Sequence, residues 1–486
     1  MTPRDQLPGP LARLIERQAA ERRSATLLED ARGDRTVSYT ELAVRARQWR
    51  AALADVPPAG RVLLDLEDPL AFATAFVGIV AAGRCAVPVN PAAPRRELDR
   101  TVRAVSPAAV VGDRPDRVAP LGLPVLDAAP DGTGDPASPG TGAVLLLTSG
   151  STGTPKAVEL TEDRLLHVAG QVVAHHRLTE HDRGFNPLPL FHINAEVVAL
   201  LGSLCAGAAL VLDGRFRRGG FWELVADRDV TWINAVPAIL TILAAEPVPT
   251  LPPRLRLMRS ASAPLSPSVK SRITELTGVP VVESYGMTEA ASQITATPLS
   301  GAVPAGSAGR PVGIDLRIRD AAGRVLPPGQ AGTVWIRGAG VIDGYVGGAA
   351  GDRFDPEGWL DTRDLGHLDA DGFLFLVGRT DDVINRGGEM LYPREIEEVL
   401  AEEPGVTEAA VVGRPDPVLG QVPVAFVLAV PSDADDGLVD RLHARCAEHL
   451  SRFKRPTEIT VVAELPRAAT GKIARHRLRE LEPVGT

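Results

Sequence analysis

Short apolar runs recur along the chain between amphipathic stretches, among them RVLLDL, AFATAFVGIVAAG, CAVPVN, AAVVGD, AVLLLTSG, ALVLDG and TWINAV. A run that is apolar without alternation must be covered on both faces, and parallel sheets flanked by helices provide that cover. Alternating strand and helix patterns therefore predict an α/β architecture with a large N-terminal domain of helix-covered sheets. From about Ala308 the texture changes: GIDLRIRDAAGRVLPPGQAGTVWIRG reads as alternating strands joined by Gly and Pro turns, which predicts a small β subdomain over about 308–379. A third region opens near Thr380, where REIEEVLAEEPGV, AAVVGRPD and VPVAFVLAV predict a small α+β domain over 380–486. The segment DAAPDGTGDPASPGTG is a turn-rich connection.

The length of 486 residues suits about three structural units at roughly 150 residues each. A net charge of -9 argues against a nucleic-acid partner, which selects a basic face. Cys85, Cys205 and Cys446 are far apart in sequence and share no CxxC spacing, so neither a disulfide framework nor a zinc site is expected, and a reducing cytoplasm fits. The opening MTPRDQLPGPLARL lacks the apolar core of a signal peptide, and no stretch has the uninterrupted apolar length of a membrane span.

TSGSTGTPK, Thr148 to Lys156, follows the apolar run Ala143 to Leu147. It fails as a Walker loop: Gly150 and Gly153 are too close together, Pro155 parts Lys156 from any Gly, and Ala157 replaces the hydroxyl that would hold magnesium. The ingredients of a phosphate clamp remain, with glycines that let the backbone approach, hydroxyls on Thr148, Ser149, Ser151, Thr152 and Thr154, and the Lys156 cation. On this stretch alone a polar turn stays open as the alternative.

Further segments follow in order: SASAPLS (Ser260 to Ser266), SYGMTEAA (Ser284 to Ala291), GWLDTRDLG (Gly358 to Gly366), GRTDDVINRGGEMLYPREIE (Gly378 to Glu397) and ELPRAATGKIARHRL (Glu464 to Leu478). Together with TSGSTGTPK they resemble the signatures of the adenylate-forming superfamily of acyl-CoA synthetases, luciferases and peptide-synthetase adenylation domains, with acyl-CoA synthetases the nearest match. The resemblance implies that Thr148, Ser149, Gly150, Ser151, Thr152, Gly153 and Lys156 hold the phosphates of ATP. Ser262, Ala263, Pro264, Glu283, Ser284, Tyr285, Gly286 and Met287 would line the nucleotide site, with Thr288 on the phosphates and Glu289 on magnesium. A hard cation between phosphates suits a carboxylate oxygen. Asp364 would accept from the ribose hydroxyls, Arg379 would contact ribose or phosphate, and Asp381 would be the hinge to a mobile C-terminal domain. Gly387 and Gly388 would face the thiol acceptor, and Lys472 would be the catalytic lysine, an ammonium on a flexible stem that stabilises charge at the α-phosphate. Two positions depart from the family pattern: Ser262 and Arg363 stand where Gly is usual.

NPLPLFHINAEV resembles the segment whose histidine, here His192, borders the carboxylate pocket. The activity implied is ATP-dependent conversion of a carboxylic acid to acyl-AMP and pyrophosphate, followed by acyl transfer to coenzyme A. Peptide-synthetase domains carry Asp where His192 stands, and a buried ammonium without its carboxylate costs several kcal/mol, so an α-amino acid is disfavoured. A carrier protein or an amine as acceptor remains an alternative, as does, outside catalysis, a silent nucleotide-binding protein. Position beside the motifs assigns His192, Asn194, Glu196, Ala235, Val236, Ser284 and Met287 to the acid pocket, whose mixed polarity suits a small or medium acid. Glu196 is open to two readings, a satisfied helix residue or a recognition group. A monomer or homodimer with no membrane partner is expected.

Overall fold

The computed structural model describes residues 8–132, 141–148, 156–245, 247–248, 252–348, 353–429, 437–467 and 473–481. Two sheets build the large N-terminal part. The first has six strands in the order Val125–Leu126, Ala109–Gly112, Arg61–Asp65, Cys85–Pro88, Ala143–Thr148 and Lys156–Thr161, parallel until the last, which closes an antiparallel hairpin. The second has nine strands, and its centre runs parallel through Val281–Tyr285, Leu257–Ala261, Trp232–Ala235, Arg183–Asn186, Ala209–Leu212 and Thr26–Asp30. Both follow from runs such as VLL and AVV, which are apolar on consecutive residues and buried on both faces.

One apolar run departs from the strand reading. AFATAFVGIVAAG is the helix Pro69–Ala81, buried at every residue from Phe72 to Ala81. Periodicity cannot separate a fully buried strand from a fully buried helix, but thirteen residues exceed ordinary strand length. Its start is also written locally: Pro69 stands at the first turn, and the Asp68 side chain accepts from Ala71 N at 2.8 Å.

A four-stranded antiparallel sheet follows, Asp315–Arg319, Gly332–Arg337, Leu360–Leu368 and Leu374–Arg379. Arg310–Pro311, just before it, is the edge strand of the nine-stranded sheet. The C-terminal region forms a five-stranded sheet around the long pair Val406–Asp416 and Gly420–Ala429. Helices Pro393–Ala401 and Leu438–His449 enclose a separate core that includes Ile396, Leu400, Val411, Val427 and Leu442. All three cysteines are free. Among the described residues no helix is long and apolar enough to cross a membrane.

Candidate active site

Four neighbouring parallel strands of the nine-stranded sheet end in the segments singled out by sequence: Arg183–Asn186 leads to His192, Trp232–Ala235 to Val236, Leu257–Ala261 to Ser262, and Val281–Tyr285 to Gly286. The carboxyl ends of parallel strands are where α/β sheets gather ligand-binding loops. Gly286 is required by space, since a Cβ there would lie 1.4 Å from the Ser292 carbonyl oxygen. Ser262, followed by the exposed Ala263 and Pro264, takes φ 76°, and Arg363 takes φ 62°. Both departures from the family's Gly thus keep the left-handed backbone that Gly favours.

Three motifs distant in sequence meet at Asp364. Tyr285 Oη donates to Asp364 Oδ2 at 2.5 Å, and Arg379 Nη1 donates to Asp364 Oδ1 at 2.9 Å. The strand register also pairs Asp364 with Arg379. Burial, with the Asp364 charge beside it, pushes the Tyr285 hydroxyl well above its ordinary pKa, so Tyr285 remains a donor. Nearby, Glu283 accepts from Lys270 Nζ at 2.7 Å, and the Met287 carbonyl accepts from Ala290 N and Ser292 N.

Thr288 opens a single 3-10 turn, Thr288–Ala290, that presents Glu289. Glu289 Oε1 accepts from Tyr345 Oη at 2.7 Å, and Arg353 Nη1 lies 3.6 Å from the same oxygen while donating to Tyr345 Oη at 2.7 Å. Lys156 Nζ stands 5.2 Å from the Tyr345 ring centroid. The end of the phosphate-loop hairpin and the candidate magnesium carboxylate therefore share one tyrosine. Magnesium usually takes one or two carboxylates and completes its shell with water and substrate phosphates, so the donor chemistry of Glu289 fits. Tyr345 and Arg353 carry no motif and were not singled out by sequence.

At the pocket end, His192 packs on Phe191 with ring centroids 4.4 Å apart, and its carbonyl accepts from Ala195 N and Glu196 N. The following segment, Asn194–Leu201, is a π-helix, a form concentrated at functional sites. Glu196 is fully buried, and neither carboxylate oxygen has a hydrogen-bond partner among the described residues. It is helical but not satisfied, and burial pushes its carboxyl well above the ordinary range. Asn194 accepts from Arg259, which the sequence reading also missed. The available signal was a charge inside LMRSA, an otherwise small and apolar strand of a central sheet.

In the C-terminal region, Gly387 and Gly388 take φ 62° and 96° in the turn between Ile384–Arg386 and Glu389–Leu391, where glycine is the natural occupant. Asp381 faces Arg363 Nη1 at 3.4 Å, and Arg363 O accepts from Thr380 Oγ1 at 3.1 Å. Thr148 donates to Lys156 O at 3.3 Å across the base of its hairpin. Ser149, Gly150, Ser151, Thr152 and Gly153, with Lys472, lie outside the described residues.

A site of this layout defines a nucleotide-dependent acid-activating enzyme, and the family comparison agrees. The chain matches the family model described as AMP-binding enzyme over residues 15–346, and that described as AMP-binding enzyme C-terminal domain over residues 395–472; it belongs to this family. It is 38% identical over 429 residues to the sulfoacetate–CoA ligase of Cupriavidus necator, covering 83% of this chain and 84% of that one. It is 39% identical over 346 residues to the oxalate–CoA ligase of Arabidopsis thaliana, covering 69% and 67% respectively. The o-succinylbenzoate CoA synthetase of Bacillus subtilis, solved with its acyl-adenylate intermediate, superposes with TM-score 0.87 at 28% identity over 98% of this chain and 99% of that one, and it has also been solved with ATP and a magnesium ion. The protein is an AMP-forming acid–CoA ligase that uses ATP and magnesium, with a carboxylic acid and coenzyme A as substrates.

Proposed function

We propose that the cleft at the carboxyl ends of the nine-stranded sheet activates a compact acid bearing a second acidic group. A carboxylate oxygen attacks the α-phosphorus of ATP and pyrophosphate leaves; the coenzyme A sulfur then attacks the acyl carbon and AMP leaves. Adenylation is needed because a carboxylate oxygen is a poor leaving group. The convergence of Tyr285 and Arg379 on Asp364 carries the reading: a carboxylate held on both oxygens is positioned to accept from ribose hydroxyls. Glu289, braced by Tyr345 and Arg353, holds magnesium, and the Thr148–Lys156 loop takes the β- and γ-phosphates.

Lys472 stabilises the charge that develops at the α-phosphate, and rotation about Asp381 replaces it with the Gly387–Gly388 turn for thiol attack. The named relatives act on sulfoacetate and oxalate, each of which has an acidic group beside the carboxylate being activated. A cytoplasmic location fits the three free cysteines, and light scattering decides between monomer and homodimer. A carrier-protein thiol would approach the same turn, so the acceptor is decided by product.

The test is hydroxamate trapping of the activated acyl group with ATP and magnesium over dicarboxylic, sulfonated, aliphatic, aryl and amino acids, followed by coenzyme A. AMP, pyrophosphate and a CoA ester from a short diacidic substrate are expected. Activation without CoA ester would transfer the second half-reaction to a carrier protein, and activation of long aliphatic acids alone would overturn the pocket assignment.

A further inference from the structure

Arg259 lies within the strand Leu257–Ala261 and is fully buried. Its guanidinium donates to Asn194 Oδ1 at 2.8 Å, Asn234 Oδ1 at 3.3 Å and Ser284 Oγ at 3.0 Å. All three acceptors are neutral, and among the described residues Arg259 has no ion pair. A buried charge without an opposite charge is costly, and three neutral dipoles offset only part of that.

Donors outnumber acceptors around this point. Arg259 Nε has no partner among the described residues. Because Arg259 can only donate, it fixes the Asn194 amide with its oxygen inward, and Asn194 Nδ2 is left unpartnered. Ser284 Oγ, already bonded to Arg259, also donates to Thr295 O at 2.9 Å and lies 3.5 Å from Gln293 Oε1, while Gln293 Nε2 is unpartnered. Three buried donors are thus unused around one guanidinium. An anion bound at this cluster would compensate the guanidinium charge and accept from these donors, whereas a neutral or cationic ligand would leave the charge uncompensated.

The cluster adjoins the candidate site residues along the chain: Ser284 precedes Tyr285, Asn194 lies two residues beyond His192, and Arg259 three before Ser262. A ligand that reaches from the adenylation point to Arg259 spans only neighbouring strand ends and is short. Resting on the ligase reading above, we propose that Arg259 is the residue that selects the acid, binding the second anionic group, carboxylate or sulfonate, of a compact substrate whose other carboxylate is adenylated.

The test compares wild type, Arg259→Met and Arg259→Lys in acid-dependent pyrophosphate exchange, using substrate pairs of matched length such as succinate with butanoate and sulfoacetate with propanoate. Wild type should favour the dianionic member by at least about 100-fold in kcat/KM, since sites built to hydrogen-bond a polar group reject the analogue lacking it by up to about 10⁴- to 10⁵-fold. Arg259→Met should lose about 100-fold on the dianion, mainly through KM, with little change on the monoanion, and Arg259→Lys should recover part of the loss. Equal losses on both members would make Arg259 a structural strut and overturn the proposal, as would a wild-type preference for the monoanion. Exchange with no acid at all would overturn the ligase reading and this assignment with it. If Arg259→Met does not fold, Gln293→Leu reads the same ratio: a loss of about tenfold or more on the dianion alone supports the site, and an unchanged ratio overturns it.

Discussion

Glu289 shows how much of the site depends on single side chains that no motif announces. Its carboxylate is legible in SYGMTEAA, whereas Tyr345 and Arg353, which fix its orientation, come from separate segments with no diagnostic spacing. Tyr345→Phe removes a hydrogen bond to a charged group, worth about 1.5–3 kcal/mol, so adenylation should fall about 10- to 100-fold with a raised magnesium requirement. Unchanged magnesium dependence would separate Tyr345 from the metal. A second buried carboxyl, Glu162, has a structural duty: it accepts from Leu11 N at 2.9 Å and Gly142 N at 3.2 Å. Burial pushes its pKa up to about 7 despite those two donors. The folded state then binds the proton more tightly than the unfolded chain, so the stabilising contribution is full below the ordinary carboxyl pKa and is lost as pH rises through about 7. The Tm advantage of wild type over Glu162→Gln should shrink between pH 5 and pH 8, and a constant advantage would remove Glu162 from the pH response.

Elements were legible where local chemistry and burial agreed. The strand Ala143–Thr148, the antiparallel sheet after residue 314 and the helix Pro393–Ala401 all follow patterns visible in the sequence, whereas the antiparallel partner Lys156–Thr161 does not. The helix Pro69–Ala81 was obscured because an element buried on every side loses the periodicity that separates helix from strand. The π-helix Asn194–Leu201 was invisible for a different reason, since hydrogen bonds lengthened by one residue, to i→i+5, leave no mark in an apolar segment. Two turns store local strain. Ser262→Gly should stabilise the protein by about 1 kcal/mol, because φ 76° is unfavourable for any residue with a Cβ. Arg363→Gly should gain less, as it also gives up the 3.4 Å pair with Asp381, worth about 0–1 kcal/mol at an exposed site. Thermal melting checks both, and a lower Tm for Ser262→Gly would contradict the strain account.

Across the whole chain, a candidate nucleotide site at the carboxyl ends of the nine-stranded sheet is followed by a C-terminal unit with its own core. Sequence motifs located the contributing segments, but not their meeting at Asp364, because contacts between Tyr285, Asp364 and Arg379 depend on how a parallel and an antiparallel sheet are packed together. If the C-terminal unit serves the two half-reactions with different faces, Lys472→Ala should lower adenylation by at least about 100- to 1000-fold and spare thioester formation from supplied acyl-adenylate. Equal losses in both halves would contradict domain alternation.

Formation of an adenylate before the thiol takes part is read by exchange of labelled pyrophosphate into ATP. With acid and magnesium but no coenzyme A, label should enter ATP in wild type and fall sharply in Glu289→Ala. Exchange that requires coenzyme A, or ATP consumed to ADP and phosphate, would mean that no acyl-adenylate forms ahead of the thiol.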